Sequence, residues 1–302
     1  METHLVPGAR FVDPKVLARV KDLELLAKSV VDGFINGLHR APYFGASVDF
    51  AEHRGYVAGD DIRRVDWRLF ARTDRYFIKQ YEADTNANLA ILLDVSKSMS
   101  FASQGVSKLE YGKFLAACLA YLAHRQRDRV GITTFADEIV AHVPPSAKHF
   151  NVLLHTLDRA KAEKPGRLLD NLRLLAERFK RRSIIVVISD LYENPDDLLD
   201  VLKPYSYGGN DVVVFHLLDP AEIAFPYDDP SRFVDLESGE EMPVVPDAFA
   251  DQYRTMVQEH IQALRAKCTE ARIDYTLLET SSPLDEALYH YLGSRERLMR
   301  VR

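Results

Sequence analysis

This sequence of 302 residues lacks the features that mark several large classes of protein. It contains two cysteines, Cys118 and Cys268, which excludes a disulfide framework and a cysteine-rich zinc site. Its longest apolar runs, such as 89–93 and 184–188, are too short to span a membrane. Positive charge is not in excess, since 39 Lys and Arg face 45 Asp and Glu and the net charge is −6. The composition therefore gives no reason to expect nucleic acid or an anionic membrane as a partner.

Motifs for export and for common enzyme chemistry are missing as well. The first 15 residues have no apolar segment of the kind found in signal peptides, so we expect a soluble protein located in the cytoplasm. The sequence has no G-x-x-x-x-G-K-[ST] phosphate-binding loop and no G-x-S-x-G nucleophile motif. We therefore expect a chain that is not an enzyme and that does not itself bind ATP through such a loop.

The chain changes character near residue 75. Asp13 and Pro14 are typical of a helix start, and apolar residues then recur at three- and four-residue steps as far as Leu38, which predicts one long amphipathic helix. Residues 39–75 are irregular and rich in Gly, Asp and Arg. We therefore predict an N-terminal helix with an irregular arm over residues 1–75, followed by a second domain over 76–302.

The second domain alternates between strand and helix patterns. Several apolar runs are nearly continuous, which is typical of strands covered on both faces of a parallel sheet. The predicted strands are 76–82, 88–93, 130–135, 139–143, 183–188, 211–217 and 274–278. Residues 220–245 interrupt this alternation and predict a small hairpin insertion. The pattern predicts a doubly wound α/β domain with a mostly parallel sheet and flanking helices.

Polar residues follow two of these strands directly. Asp94, Ser96 and Ser98 come after the run 89–93, and Asp190 comes after the run 183–189. Ligands of open parallel sheets bind outside the carboxyl ends of the strands, so we expect these four side chains to lie together. Carboxylate and hydroxyl oxygens suit Mg²⁺ or Mn²⁺. The sequence therefore predicts a metal site formed by Asp94, Ser96, Ser98 and Asp190.

These residues resemble the metal-ion-dependent adhesion site of von Willebrand factor A domains. Upstream and downstream segments resemble the bacterial family called domain of unknown function 58, over about residues 11–300. The segments that carry this second resemblance include Gly59-Asp60-Asp61-Ile62-Arg63, Asp66-Trp67, Asp219-Pro220-Ala221-Glu222 and Asp235-Leu236-Glu237-Ser238-Gly239. The resemblance implies a von Willebrand factor A-like fold and a protein–protein interaction function. It also implies a MoxR-type AAA+ ATPase as partner, in chaperone-like assembly or maturation of other proteins.

The sequence departs from the adhesion-site pattern at one position. A complete site also uses a Thr from a loop before a later helix, and no Ser or Thr occurs between Thr156 and Ser183. Gly166 or Arg167 stands where that Thr is expected, and Arg167 would oppose a cation by its charge. Asp170 is a candidate substitute ligand. Metal binding is therefore left open by the sequence.

The irregular arm carries a cluster of opposite charges and a single tryptophan. Arg side chains suit bidentate pairing with carboxylates, so we interpret the cluster as an ion-pair network that holds the arm, with Trp67 as a packing anchor. A functional surface is the alternative. The arm residues in question are Arg54, Asp60, Asp61, Arg63, Asp66, Trp67 and Arg72.

Two other functions stay open at this point. One is a metal-dependent phosphoesterase with Asp94 and Asp190 as ligands, although no general base or second metal cluster is visible. The other is a metal-free scaffold that binds a partner through the same loops. The sequence does not define the oligomeric state.

Overall fold

The computed structural model describes residues 13–40, 53–55, 70, 75–79, 87–179 and 183–300. Of the predicted arm residues, Arg54 lies in a short strand. The other arm residues lie outside the described residues, namely Asp60, Asp61, Arg63, Asp66, Trp67 and Arg72.

Helices and strands alternate along most of the described chain. The helices are α1 (Pro14–Leu17), α2 (Leu23–Arg40), α3 (Lys108–Arg125), α4 (Phe150–Arg159), α5 (Leu168–Ala176), α6 (Pro195–Tyr207), α7 (Pro220–Ala224), α8 (Pro246–Glu270) and α9 (Leu284–Arg300), with a 3₁₀ turn at Lys97–Ser100. The strands are β1 (His53–Gly55), β2 (Phe77–Lys79), β3 (Asn88–Asp94), β4 (Arg129–Phe135), β5 (Ile139–Ser146), β6 (Ser183–Ser189), β7 (Asp211–Leu218), β8 (Ser231–Val234), β9 (Glu241–Val244) and β10 (Asp274–Glu279). Within the described residues, no helix is both long enough and apolar enough to cross a membrane.

A six-stranded sheet forms the centre of the fold. Its strand order is β10-β7-β6-β3-β4-β5. All neighbouring pairs are parallel except β4 and β5, which are antiparallel. The chain starts in the middle at β3, winds to β5 at one edge, and then returns past β3 to continue through β6, β7 and β10. The predicted fold class, a doubly wound and mostly parallel von Willebrand factor A-like domain, is confirmed.

Apolar side chains cover both faces of this sheet, which explains the continuous apolar runs in the sequence. One core joins a sheet face to α2, α3, α4 and α9, and includes Ile91, Leu93 and Ile188. The other core joins the opposite face to α5, α6 and α8, and includes Leu92 and Val187. Alternate residues of one strand therefore belong to different cores, as the period of a strand requires. The layered packing holds the strand ends in fixed positions.

The N-terminal helix differs from the single helix that the periodicity predicts. The structure has two helices here, because Asp22 begins a second one by accepting hydrogen bonds from the N–H groups of Glu24 (2.9 Å) and Leu25 (3.1 Å). Such capping satisfies N–H groups that have no partner inside the helix. The buried side of α2, with Leu26 and Phe34, belongs to the same core as the central sheet. The apolar stripe thus reports burial correctly but does not reveal the break.

The segments on either side of the predicted boundary at residue 75 are joined. Strand β1 pairs with β2 in an antiparallel two-stranded sheet. Within the predicted insertion at 220–245, β8 and β9 form an antiparallel hairpin, and the short helix α7 precedes it. Asp219 and Glu222 cap α7 reciprocally. The division into two domains at residue 75 stays a prediction.

Candidate functional site

The candidate site lies where the winding of the sheet changes direction. Strands β3 and β6 are parallel neighbours, with Leu93 opposite Ile188. Asp94 is the last residue of β3, and Asp190 directly follows β6. The chain leaves β3 toward one side of the sheet and leaves β6 toward the other, and open parallel sheets bind ligands at the carboxyl ends of strands where the winding divides in this way. The fold therefore brings the two predicted aspartates to the position where such sheets bind ligands.

Asp94 is buried among neutral hydrogen-bond donors. Its Oδ2 accepts a hydrogen bond from the Ser189 hydroxyl (2.7 Å), and its Oδ1 accepts one from the Ser96 N–H (2.9 Å). Burial, and then the negative charge of Asp190, raise the pKa of Asp94 from 3.8 to about 7, although the hydrogen bonds oppose the rise. Neutral donors orient this carboxylate but do not balance its charge. The surroundings of Asp94 therefore favour a nearby cation.

Ser96 and Ser98 place two hydroxyl groups beside Asp94. Their Oγ atoms are 3.0 Å apart. Ser96 is buried and Ser98 is half-buried, so the pair is approached from the side of Ser98. The 3₁₀ turn that begins at Lys97 carries Ser98 back toward the strand end. The structure thus brings together three of the four predicted metal ligands.

Asp190 has a different partner, which the sequence did not predict. The Lys108 ammonium, fully buried at the start of α3, donates to Asp190 Oδ2 and to Glu222 Oε1, both at 2.7 Å. Burial lowers the pKa of Lys108, but the charges of Asp190 and Glu222 outweigh it and raise the pKa overall. Burial raises the pKa of Glu222, because it disfavours the charged carboxylate, and the nearby Lys108 charge only partly opposes this rise. These three side chains form a buried ion triad in which the charge of Asp190 is already paired.

The loop before α5 lies close to the candidate site where the sequence lacks the expected Thr. Ser96 forms a bridge with Lys164, and the Lys97 N–H donates to the Lys164 carbonyl at 2.8 Å. The loop passes so close that a Cβ atom on Gly166 would lie 2.9 Å from the Ser96 Cβ. A Thr side chain does not fit at residue 166 in this backbone. The loop instead contributes a backbone N–H at that point.

The two other residues of this loop that sequence analysis singled out point elsewhere. Arg167 is exposed, and its N–H donates to the Ala136 carbonyl at 2.8 Å. Asp170 is exposed on the first turn of α5, with Oδ1 3.5 Å from the Arg173 Nη1. Neither side chain has a described contact with Asp94, Ser96 or Ser98.

Glu237, from the turn between β8 and β9, reaches the site from the hairpin. Its Oε1 accepts a hydrogen bond from the Ser98 N–H at 2.7 Å. Its Oε2 accepts one from the Gly166 N–H, also at 2.7 Å. A carboxylate of the chain itself therefore rests against the hydroxyl-bearing turn.

Sequence reasoning missed Lys108, Glu222 and Glu237 as site residues. Lys108 lies within the capping segment from Ser107 to Glu110, where a lysine is normally exposed. The segments containing Glu222 and Glu237 were noted as family motifs without a role. Their contacts join residues 71 to 139 positions apart, so a local pattern could not find them.

The donor set fits a hard divalent cation at Asp94, Ser96 and Ser98, because these residues offer carboxylate and hydroxyl oxygens beside an unbalanced negative charge. Asp190 does not fit in the same way, since Lys108 already pairs with it. Across the part of the chain that the structure describes, no group of three or more His, Cys, Asp or Glu side chains could hold a metal ion. A bound ion would thus depend largely on hydroxyl and water ligands.

The sheet order and the strand-end Asp-x-Ser-x-Ser segment define a domain of the von Willebrand factor A-like class. The chain belongs to the family described as protein of unknown function DUF58, whose model matches residues 52–265. It is 28% identical over 232 residues to uncharacterized proteins of Mycobacterium bovis and of Mycobacterium tuberculosis. These matches cover 75% of this chain and 73% of each relative. The family resemblance seen in the sequence is confirmed.

Solved structures with a similar arrangement share little sequence with this chain. The conserved hypothetical protein BatB from Bacteroides thetaiotaomicron is 18% identical with a TM-score of 0.49, covering 70% of this chain and 99% of that chain. A structure described as an aerotolerance-related membrane protein from Bacteroides fragilis is 20% identical with a TM-score of 0.48, covering 67% of this chain and 96% of its own. These likenesses carry no functional argument.

Proposed function

We propose that this chain is a protein-interaction module, with no catalytic role, that binds an acidic side chain of a partner at the carboxyl edge of its sheet. The observation that carries this proposal is the convergence of Asp94, Ser96 and Ser98 at the crevice between β3 and β6. Family membership supports the proposal, because the resemblance of the sequence to this family implies a von Willebrand factor A-like domain with a protein–protein interaction function. Fold alone does not define function, so the proposal depends on these side chains.

Mg²⁺ or Mn²⁺ is the cofactor that this proposal includes. Asp94, Ser96 and Ser98 would hold the ion, which when bound would supply a coordination position for a partner carboxylate. Asp94 contributes negative charge, and its bonds from Ser189 and Ser96 fix the orientation of its carboxylate. Lys108 pairs with Asp190, so Asp190 is a second carboxylate whose charge is already balanced.

A metal-free scaffold is the second candidate, and the ion triad favours it. Lys108 brings a full positive charge to Asp190 in the folded chain. In this alternative, the same crevice binds its partner through the backbone N–H groups of Ser98 and Gly166. The two candidates differ in whether Asp94 requires a cation.

Metal titration separates these candidates. Calorimetry with Mg²⁺ and Mn²⁺ is expected to show binding by the wild type and loss of binding in Ser98→Ala. Ser100→Ala is the matched control, because Ser100 is exposed in the same turn and its hydroxyl donates to the Lys97 carbonyl. Equal binding by the wild type and Ser98→Ala would contradict the metal site, and absence of binding by the wild type would favour the scaffold.

The partner that we propose is a MoxR-type AAA+ ATPase, in chaperone-like assembly or maturation of other proteins in the cytoplasm. The resemblance of the sequence to its family supports this partner. Capture of the purified ATPase with Mg²⁺ and ATP is expected for the wild type and not for Asp94→Ala. Absence of capture by intact wild type would contradict the partner. Hydrolysis of generic phosphoesters by the wild type, lost in Asp94→Ala, would instead support the phosphoesterase alternative.

A further inference from the structure

The turn between β8 and β9 covers the candidate site with a carboxylate of the same chain. Glu237 bridges two backbone N–H groups, those of Ser98 and Gly166, with one oxygen on each. We name this pair of N–H groups the carboxylate seat. Ser98 is a residue of the candidate site, and Gly166 lies on the loop that contacts Ser96.

We infer that Glu237 is an intramolecular ligand that fills the carboxylate seat and keeps the site closed until an acidic side chain of a partner replaces it. This inference rests on the proposed function, in which a partner carboxylate docks at this site. Hydrogen bonds from N–H groups to a carboxylate are charge-assisted and therefore among the stronger ones. A tethered carboxylate also competes at high effective concentration with any free one.

The two N–H groups of the seat match a carboxylate. They come from distant parts of the chain and each donates to one oxygen of Glu237, so a ligand that satisfies both needs two acceptor atoms, as an ionised carboxylate has. A Cβ on Gly166 would lie 3.8 Å from Glu237 Oε1 and 2.9 Å from the Ser96 Cβ. The absence of a side chain at residue 166 thus permits the close approach to Ser96, whereas a Cβ there would make only an ordinary contact with the carboxylate.

The turn that presents Glu237 holds its own shape. Asp235 accepts hydrogen bonds from the Glu237 N–H (2.8 Å) and from the Ser238 hydroxyl (2.9 Å). Gly239 has a φ of +77°, a conformation that favours glycine, and its N–H donates to the Asp235 carbonyl at 2.8 Å. None of these contacts uses the Glu237 carboxylate. Removing that side chain is therefore expected to leave the turn intact and the seat vacant.

The hairpin packs against the rest of the fold through Phe233 and is separate from the central sheet. Phe225 stacks on Phe233 with ring centroids 5.6 Å apart and lies 4.8 Å from the Tyr253 ring of α8. Strands β8 and β9 pair with each other in a sheet of their own. Glu237 ties the turn of this hairpin to the site, so its release would free the turn while Phe233 stays packed against Phe225.

Acetate binding tests this inference directly. The Ser98 and Gly166 amide resonances are followed by NMR during acetate titration, with EDTA present so that no divalent ion contributes. In Glu237→Ala, both amides are expected to shift and saturate, at an acetate concentration about tenfold or more below any response of the wild type. Acetamide, which is neutral, is expected to have little effect.

Glu240→Ala is the matched control, because Glu240 is exposed in the same turn and has no described bond to the site. It is expected to behave as the wild type. An equal acetate response in the wild type and Glu237→Ala would overturn the inference, since the seat would then be open already. Absence of a response in Glu237→Ala would also overturn it, since no seat for a carboxylate would exist.

The two proposals fail in different ways. If Glu237→Ala binds acetate as expected but neither form captures the ATPase, the seat is supported and the proposed partner is wrong. If the wild type captures the ATPase but the seat does not respond to acetate, the proposed function stands and the inference is wrong.

Discussion

Asp94 and Asp190 occupy equivalent positions at the ends of neighbouring parallel strands, yet their surroundings differ in charge. Both are 4% exposed. Asp94 accepts hydrogen bonds from a hydroxyl and a backbone N–H, whereas Asp190 accepts one from the Lys108 ammonium. The fold places both carboxylates, but residues from other segments decide whether each charge is balanced.

This difference divides the predicted four-residue metal site into two parts. Asp94, Ser96 and Ser98 form the part in which positive charge is in deficit. Asp190 belongs to a part that the chain neutralises with its own lysine. A resemblance based on residue types at strand ends does not distinguish these two parts, because it contains no information about the lysine.

The largest expected effect on stability comes from removing the cation that pairs with Asp190. Lys108→Met leaves Asp190 and Glu222 buried without their cation, and such a loss costs about 3–5 kcal/mol of unfolding free energy. Urea unfolding at neutral pH measures it. Lys113→Met is the matched control in the same helix, because Lys113 is partly exposed and donates to a carbonyl at 3.3 Å. Exposed ion pairs contribute about 1 kcal/mol or less to the free energy of unfolding. A loss of unfolding free energy in that range for Lys108→Met would contradict the role of the triad.

The next largest effect is a pH dependence of the free energy of unfolding, caused by the raised pKa of Asp94. Because the pKa of Asp94 is raised from 3.8 to about 7, the folded protein keeps a proton that the unfolded chain has lost, so stability falls as the pH rises through this range. At ~1.4 kcal/mol per pKa unit, the full fall is roughly 4 kcal/mol. Urea midpoints in EDTA between about pH 4 and 8 measure it. Asp94→Asn is expected to flatten this dependence; an unchanged pH profile in that variant would show that another group causes it.

Gly166→Ala tests the close approach of the loop to Ser96. The added Cβ is expected to push the loop away, weaken the Glu237 bond and cost about 1–3 kcal/mol. Gly33→Ala is the control of opposite sign, because nothing lies within 4 Å of a Cβ there. Gly33 is inside α2, so alanine is expected to stabilise the protein by about 0.5–1 kcal/mol. Thermal unfolding of the two variants compares them, and a stabilised Gly166→Ala would refute the packing argument.

The smallest expected effect comes from removing one hydrogen bond to the Asp94 carboxylate. Ser189→Ala removes the hydroxyl that donates to Asp94 Oδ2 and is expected to cost about 1 kcal/mol at alkaline pH. It is also expected to raise the pKa of Asp94 further, because that hydrogen bond lowers it. Carboxyl ¹³C NMR titration gives the pKa directly. A lower pKa in Ser189→Ala would contradict the assigned direction of the bond.

Much of the fold was predictable because its causes are local. The apolar runs at 89–93 and 184–188 predict buried parallel strands, and the structure contains both strands. The break before α2 was missed, since the apolar stripe continues across it while Asp22 caps a new helix. Helix α7 was missed because it is only five residues long.

The candidate site was predictable only where it follows a strand. Asp94 and Asp190 were found because parallel strands end at one edge. Lys108 and Glu237 were not, because a lysine in a first helical turn and a glutamate in a hairpin turn are usually exposed. Their roles arise from tertiary contacts that bring distant segments together.

The ion triad also has a consequence for the rate of unfolding. Lys108 lies 82 residues from Asp190 and 114 residues from Glu222 along the chain. Its ammonium is costly to bury alone, so a folding transition state that packs α3 on the sheet is expected to gain these carboxylates late. Interactions formed after the transition state slow unfolding without accelerating folding. We therefore expect the triad to slow unfolding with little effect on the rate of folding.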